Sequence, residues 1–304
     1  MEAEHQPVLL EETMKALEPT PGKYILDATF GRGGHARAML ERGARVVALD
    51  RDPDAEACAR GLEAEFQPRF VFRRRNFSEL AQVHAEFGSF DGILMDLGVS
   101  SPQLNDAERG FSFQQHGPLD MRMDPSQEMT AADLVNSSSE AELADLIFRL
   151  GEEREARRIA RAIVQAREKE RFTRTAPLAA LVEKVLGGRR NRKIHPATKT
   201  FQALRIAVNG ELEALEEALP AVPGALKPGG RFAAISFHAL EDRRVKSFIE
   251  RRSLPEIRGT EYAFGLPNPD YTFRKIGRWL PSEAEVLKNP RARSARLRVA
   301  EKLS

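Results

Sequence analysis

The chain has 304 residues, 41% of them hydrophobic, and a formal charge of +2 at pH 7. That length can bury the core of one large or two medium domains, and the charge is too close to zero for the total to announce a polyanionic partner. A single cysteine, Cys58, excludes an intramolecular disulfide and a cysteine-rich zinc site.

Residues 1–7 are acidic and polar where a secretory signal is basic and then apolar, and no apolar run is long enough to span a bilayer. A soluble, cytoplasmic protein is expected. Residues 24–29, Tyr-Ile-Leu-Asp-Ala-Thr, are a short apolar run emptying into a glycine cluster, the pattern of a buried parallel strand followed by a loop. A helix over 35–41 stops at Gly43, and a second apolar run over 45–50 closes on Asp50, completing a strand, helix, strand unit. The alternation repeats as helix 52–66, strand 70–73, mostly helix over 77–87 and strand 91–96. This predicts a Rossmann-like α/β fold with a doubly wound, mostly parallel sheet.

From about residue 105 the strand signal stops. A loop over 107–124, carrying Gly110, Gly117 and Pro118, leads into amphipathic helices over 131–136, 139–150, 152–169 and 177–186. A helix over 201–218 and the turn Lys227-Pro228-Gly229-Gly230 precede the next core strand, 231–237. The alternating segments 271–275 and 295–300 suit a terminal antiparallel pair. The expected organisation is an α/β domain made of 1–104 and 200–304, with an all-helical domain, 105–199, inserted into it.

Gly31, Gly33 and Gly34 form a turn between a strand and a helix, where backbone N–H groups can approach a ligand closely. Asp50 lies about 20 residues further on, at a strand end, where a carboxylate accepts the hydroxyls of an adenosine ribose. Nicotinamide enzymes and methyltransferases both use such an acid. Two features separate them. Gly34 follows Gly33 directly, without the third glycine of the dinucleotide spacing. Asp27, just before the loop, would repel a diphosphate and suits an ammonium group. S-adenosylmethionine, with an ammonium and a sulfonium, fits this setting better than a nicotinamide dinucleotide. Asp27 as a simple turn-capping carboxylate is the bland alternative. Phe77 and Asp96, after the third and fourth strands, face the same rim, Phe77 either flanking an adenine or serving as a core aromatic.

The loop Asp96-Leu97-Gly98-Val99-Ser100-Ser101-Pro102-Gln103 follows the fourth strand, where a class I methyltransferase meets its acceptor. It partly resembles the amino-methyltransferase loops written Asp/Asn/Ser-Pro-Pro-aromatic, without the second proline and the aromatic. Hydrogen-bond acceptors there would orient the lone pair of an exocyclic amine. Ser100, Ser101 and Pro102 are therefore candidates at the reacting centre, as is His238 after the strand 231–237, which could equally cap a helix. The six histidines show no paired ligand spacing, and no metal is expected.

Longer blocks go beyond fold class. They are His5 to Leu10, Asp27 to His35, Asp96 to Gln103 with Arg109 to Phe113, Gly117 to Asp124, His195 to Gln202, Ser236 to Arg243 and Asn289 to Ser294. Together they resemble the ribosomal RNA small subunit methyltransferase H family over nearly the whole chain. The resemblance implies methylation of the exocyclic N4 of one cytosine in the decoding region of 16S rRNA. It also implies cofactor contacts at Gly33, Gly34, His35, Asp50, Phe77, Asp96 and Gln103, and small-subunit rRNA or the small ribosomal subunit as partner. A non-catalytic RNA-binding or assembly factor on the same fold would keep these blocks too. Basic runs at Arg189, Arg190, Arg192 and Lys193, at Arg154, Arg157, Arg158 and Arg161, and at Arg291, Arg293, Arg296 and Arg298 are candidate phosphate contacts, although charged helix faces are commonly just solvated.

Overall fold

The computed structural model describes residues 7–189, 194–257 and 265–304. His5, Gln6, Arg190, Arg192 and Lys193 lie outside them. The chain forms two compact units, one from the segment up to Gly98 together with Leu212–Ser304, the other from Val99–Glu211.

In the first unit, helix α1 (Leu10–Leu17) leads into β1 (Tyr24–Asp27), α2 (Gly34–Glu41), β2 (Arg45–Asp50), α3 (Ala55–Phe66), β3 (Phe70–Arg74), α4 (Leu80–Phe87) and β4 (Phe90–Asp96). The second unit is helical, with α5 (Ser101–Asn105), α6 (Ala131–Ser137), α7 (Glu140–Gly151), α8 (Ala156–Arg167), α9 (Thr175–Val185) and α10 (Thr198–Asn209). The chain then returns through α11 (Glu211–Ala218), α12 (Val222–Ala225), β5 (Leu226–Ser236), α13 (Ala239–Arg252), β6 (Phe273–Trp279), α14 (Glu283–Lys288) and β7 (Arg296–Lys302).

The sheet of the first unit has the order β3-β2-β1-β4-β5-β7-β6. β1 to β5 are parallel and β7 runs antiparallel to both β5 and β6. Both faces are covered, which explains why the strands read as unbroken apolar runs. Val46 and Ala48 of β2 enter one core with Met39 of α2 and Leu62 of α3, while Val47 and Leu49 enter the opposite core with Leu80 of α4 and Leu215 of α11. Ala233 and Ile235 of β5 divide from Phe232 and Ala234 in the same way.

The expected strand 231–237 begins earlier, at Leu226, because the Lys227 to Gly230 turn is a bulge between the pairs Phe90 with Leu226 and Gly92 with Arg231. The single helix expected over 201–218 is two helices. Gly210 takes φ 57, a left-handed cap whose N–H donates to Ile206, and so closes α10.

The helical unit begins at Val99 rather than 105 and ends at Glu211 rather than 199. Its core explains the difference. Val99 and Leu104 pack against it from one end, and Phe201, Leu204 and Val208 of α10 belong to it from the other. The loop over 107–124 is also structural here, since Leu119, Met121 and Met123 are buried in that core. The buried amide of Asn209 accepts from Met123 N at 2.7 Å and donates to Met121 O at 2.7 Å, which holds the loop against α10.

Candidate active site

The carboxyl ends of β1, β2 and β4 place Asp27, Asp50 and Asp96 at one rim of the first unit. Between them runs the loop that opens α2. Gly31 N donates to Asp50 Oδ2 at 2.7 Å and Asp52 N to Asp50 Oδ1 at 2.9 Å, so this carboxylate shapes the loop and still keeps lone pairs on both oxygens. Burial is the main cause that lifts Asp50 from 3.8 to about 6.

Gly33 takes φ +78 at the N-cap of α2, and a Cβ there would stand 2.6 Å from both Leu62 Cδ1 and Phe30 Cζ. Gly34 is closed in by the ring of Pro7. Tight glycine spacing thus lets the loop backbone lie against its own core while its other side faces the rim. Gly33→Ala meets both the clash and the left-handed backbone, and is expected to cost about 2–4 kcal/mol in denaturant unfolding. A loss below about 1 kcal/mol would show that the loop can relax.

His35 is buried, its Nε2 3.2 Å from Val8 O and its Nδ1 3.6 Å from Asp96 Oδ2. Asp96 N donates to Thr29 Oγ1 at 2.6 Å, tying β4 to β1 at the rim. Asp27 is fully buried, with Oδ1 accepting from Thr29 N at 3.2 Å. Asp27 Oδ2 and Asp96 Oδ1, both shut off from solvent, have no hydrogen-bond partner among the described residues. Burial raises Asp27 to about 7, and burial together with the neighbouring Asp27 and Glu241 charges raises Asp96 well above the ordinary range. Buried carboxylate oxygens without a donor, beside a glycine loop, fit a cationic ligand with an ammonium or sulfonium group. Asp27 does accept from the turn after it, as the bland alternative required, but only through one oxygen.

Phe77 begins a short 3-10 turn after β3, held by a reciprocal cap between Asn76 and Glu79, and packs against the core that contains Leu80 and Val83. Gly33, Gly34, His35, Asp50, Phe77 and Asp96 all belong to the first unit. Ser100, Ser101, Pro102 and Gln103 belong to the second, at the start of α5. There Ser100 N donates to Gln103 Oε1 at 2.8 Å in a capping box. His238 is in the first unit at the N-cap of α13, its Nε2 3.1 Å from Glu241 Oε1. Glu241 in turn accepts from Phe237 N and His238 N. Val8, Thr29 and Glu241 are the rim residues that sequence reasoning did not single out as contacts.

Two of the basic runs are partly spent inside the protein. Arg296 and Arg298 both hold Asp242, at 2.8 and 2.7 Å, and are not free phosphate contacts. On α8, Arg158 pairs with Glu155 and Arg161 with Glu140, while Arg157 on the helix and Arg154 in the turn before it are exposed.

A parallel sheet that finishes in the antiparallel β7, with a glycine loop after β1 and acids at the ends of β1, β2 and β4, defines a Rossmann-like class I methyltransferase. No helix among the described residues is long and apolar enough to cross a membrane. The chain belongs to the MraW methylase family, whose model matches residues 2–303. It is 52% identical over 302 residues to the ribosomal RNA small subunit methyltransferase H of Chelativorans sp., covering 98% of this chain and 87% of the relative. Proteins of the same name from Rhizorhabdus wittichii and Caulobacter vibrioides are 49% and 48% identical, with 98% of this chain and 93% and 95% of the relatives covered.

Proposed function

We propose that this methylase modifies small-subunit ribosomal RNA with S-adenosylmethionine, and that its acceptor is the exocyclic N4 of one cytosine in the decoding region of 16S rRNA. The rRNA substrate is supported by relatives of that name at 48–52% identity along 98% of the chain. The observation that carries the cofactor site is the pair of buried carboxylate oxygens, Asp27 Oδ2 and Asp96 Oδ1, left without donors beside the Gly33-Gly34 loop.

In this reading Asp27 holds the ammonium of the amino-acid tail, Asp50 the ribose hydroxyls, and Phe77 flanks the adenine. Gly33, Gly34 and His35 line the approach, and Asp96 and Gln103 complete the set. When bound, S-adenosylmethionine supplies a methyl group made electrophilic by its sulfonium. An exocyclic amine is a weak nucleophile because its lone pair is delocalised into the ring, so catalysis here is mostly positioning. Ser100, Ser101, Pro102 and His238 are the candidates at the reacting centre, with Ser100, Ser101 or His238 to accept the proton that the amine sheds. The helical unit presents Arg154 and Arg157 for rRNA phosphates.

The test is mass-spectrometric mapping of small-subunit rRNA, naked and in assembled subunits, after incubation with the protein and methyl-labelled cofactor. Label on N4 of a decoding-region cytosine is expected. Label on a carbon, or on no RNA, would overturn the substrate assignment.

A further inference from the structure

We infer that the excursion between β6 and β7 is a separate RNA-contact surface, carried by the sheet unit rather than by the helical insertion. The inference rests on the rRNA reading above. Residues 273–298 hold eight Lys or Arg and two acids, Glu283 and Glu285, a balance of +6 in a chain that totals +2. The remainder of the chain is therefore net negative, at 2 − 6 = −4, even though residues 187–210 hold six more Lys or Arg and no acid, so 273–298 is one of two strongly basic segments and the one that belongs to the sheet unit.

Ion pairing sorts these cations. Arg274 is held by Glu301, Lys275 by Glu250, and Arg296 and Arg298 by Asp242. Arg278, Lys288 and Arg293 are exposed and have no ion partner among the described residues. Arg278 lies at the end of β6, and Lys288 and Arg293 lie on the excursion that follows it. Arg278 lies directly opposite Arg298 and Trp279 opposite Leu297 in the antiparallel pair, so the chain between them is a closed excursion containing α14 and a 3-10 turn, Pro290–Ser294.

The excursion is also anchored. Glu285 Oε1 accepts from Leu9 N at 2.7 Å, and Ala292 and Ala295 are buried in the sheet core. Its cations are thus presented on a fixed frame, which lowers the ordering cost of binding. Like charges directly opposite across two strands are unfavourable. Asp242 relieves Arg298, and nothing among the described residues does the same for Arg278. A polyanion would. Leu280 and Leu287 stand 54% and 84% exposed on the same excursion, which would also suit a protein. The excess of unpaired cations over acids decides for phosphate.

The test is the full-length triple variant Arg278→Gln, Lys288→Gln, Arg293→Gln, measured against a 16S rRNA transcript and against purified small subunits. Three lost phosphate contacts should lower the slope of log affinity against log salt by about two to three, and weaken rRNA binding roughly tenfold at about 0.1 M salt. Affinity for S-adenosylhomocysteine and the melting temperature should stay as in the wild type, which shows that the fold is intact.

A wild-type slope and affinity in the variant, with a wild type that methylates rRNA, would overturn this surface and leave the rRNA reading standing. Weakening seen with assembled subunits and absent with the transcript would assign the surface to a protein and overturn the inference. A wild type that neither binds nor methylates rRNA would overturn both.

Discussion

Asp50→Ala should weaken binding of S-adenosylmethionine and S-adenosylhomocysteine by about a hundredfold to a thousandfold. The carboxylate does two things at once. It accepts from Gly31 N and Asp52 N, which sets the loop that opens α2, and its remaining lone pairs face the rim where the ribose hydroxyls are placed. Hydrogen bonds to an ionised acceptor contribute about 1.5–3 kcal/mol each. Asp50 is only half-buried, so two such bonds to the ribose are taken near the lower end of that range, about 3–4 kcal/mol together, or two to three decades in affinity. Asp50→Asn separates the two roles, because the amide oxygen can still accept from one backbone N–H while the charge is gone. It should lose less affinity than Asp50→Ala and about 1–3 kcal/mol of stability, because its NH2 faces whichever backbone N–H its oxygen does not accept from. Isothermal titration with S-adenosylhomocysteine measures both variants, and an Asp50→Ala affinity within threefold of wild type would remove Asp50 from the site. The variant should also stop methyl transfer to rRNA. Continued transfer at the wild-type rate would put the cofactor elsewhere.

The acids and glycines of this site are legible in the sequence because they are local to a strand, a loop and a helix that are themselves legible. Val46 to Leu49 read as a strand because each face of the sheet is covered, so every position is apolar. Asp27, Asp50 and Asp96 stand out as the polar residues that end such runs. What supports them is not local. His35 is tethered to Val8 O, 27 positions earlier, and Asp96 to Thr29 Oγ1, 67 positions earlier, and neither pairing leaves a periodic trace. Gln103 shows the opposite limit: its local structure gives it a capping task with Ser100, and only the family resemblance brings it to the cofactor. The same limit hid α13, a charged helix whose buried Asp242 is matched by Arg296 and Arg298 more than fifty residues away. Gly210 was visible as a residue, but the left-handed φ with which it caps α10 and splits it from α11 leaves no trace in the periodicity of either helix.

Asp27→Asn should stabilise the protein without cofactor at pH 8 while weakening cofactor binding about tenfold to a hundredfold. Burial raises the Asp27 carboxyl from 3.8 to about 7, so the folded protein holds a proton there that the unfolded chain has released. The sign follows: between pH 4 and 7 the folded state binds more protons than the unfolded, stability falls as pH rises, and above 7 the whole cost of a buried charge is present. From 3.8 to about 7 is about three decades at about 1.4 kcal/mol each, an upper figure of about 4 kcal/mol. The buried amide of the variant also lacks a partner and returns about 1–3 kcal/mol of that. A net gain of at most about 1–3 kcal/mol remains, a rise of a few degrees in Tm at pH 8 that should vanish by pH 4. Binding moves the other way. An ammonium group beside Asp27 favours its ionised form, so wild-type affinity for S-adenosylhomocysteine should rise with pH and level off above about 7. Asp50, at about 6, and Asp96 titrate at the same rim and contribute to that rise, and the variant isolates the share that belongs to Asp27. Thermal melts without ligand and calorimetry from pH 5.5 to 8.5 measure both halves. A variant less stable than wild type at pH 8 would mean that Asp27 already has a cation partner without cofactor, and unchanged affinity would mean that the ammonium group binds elsewhere.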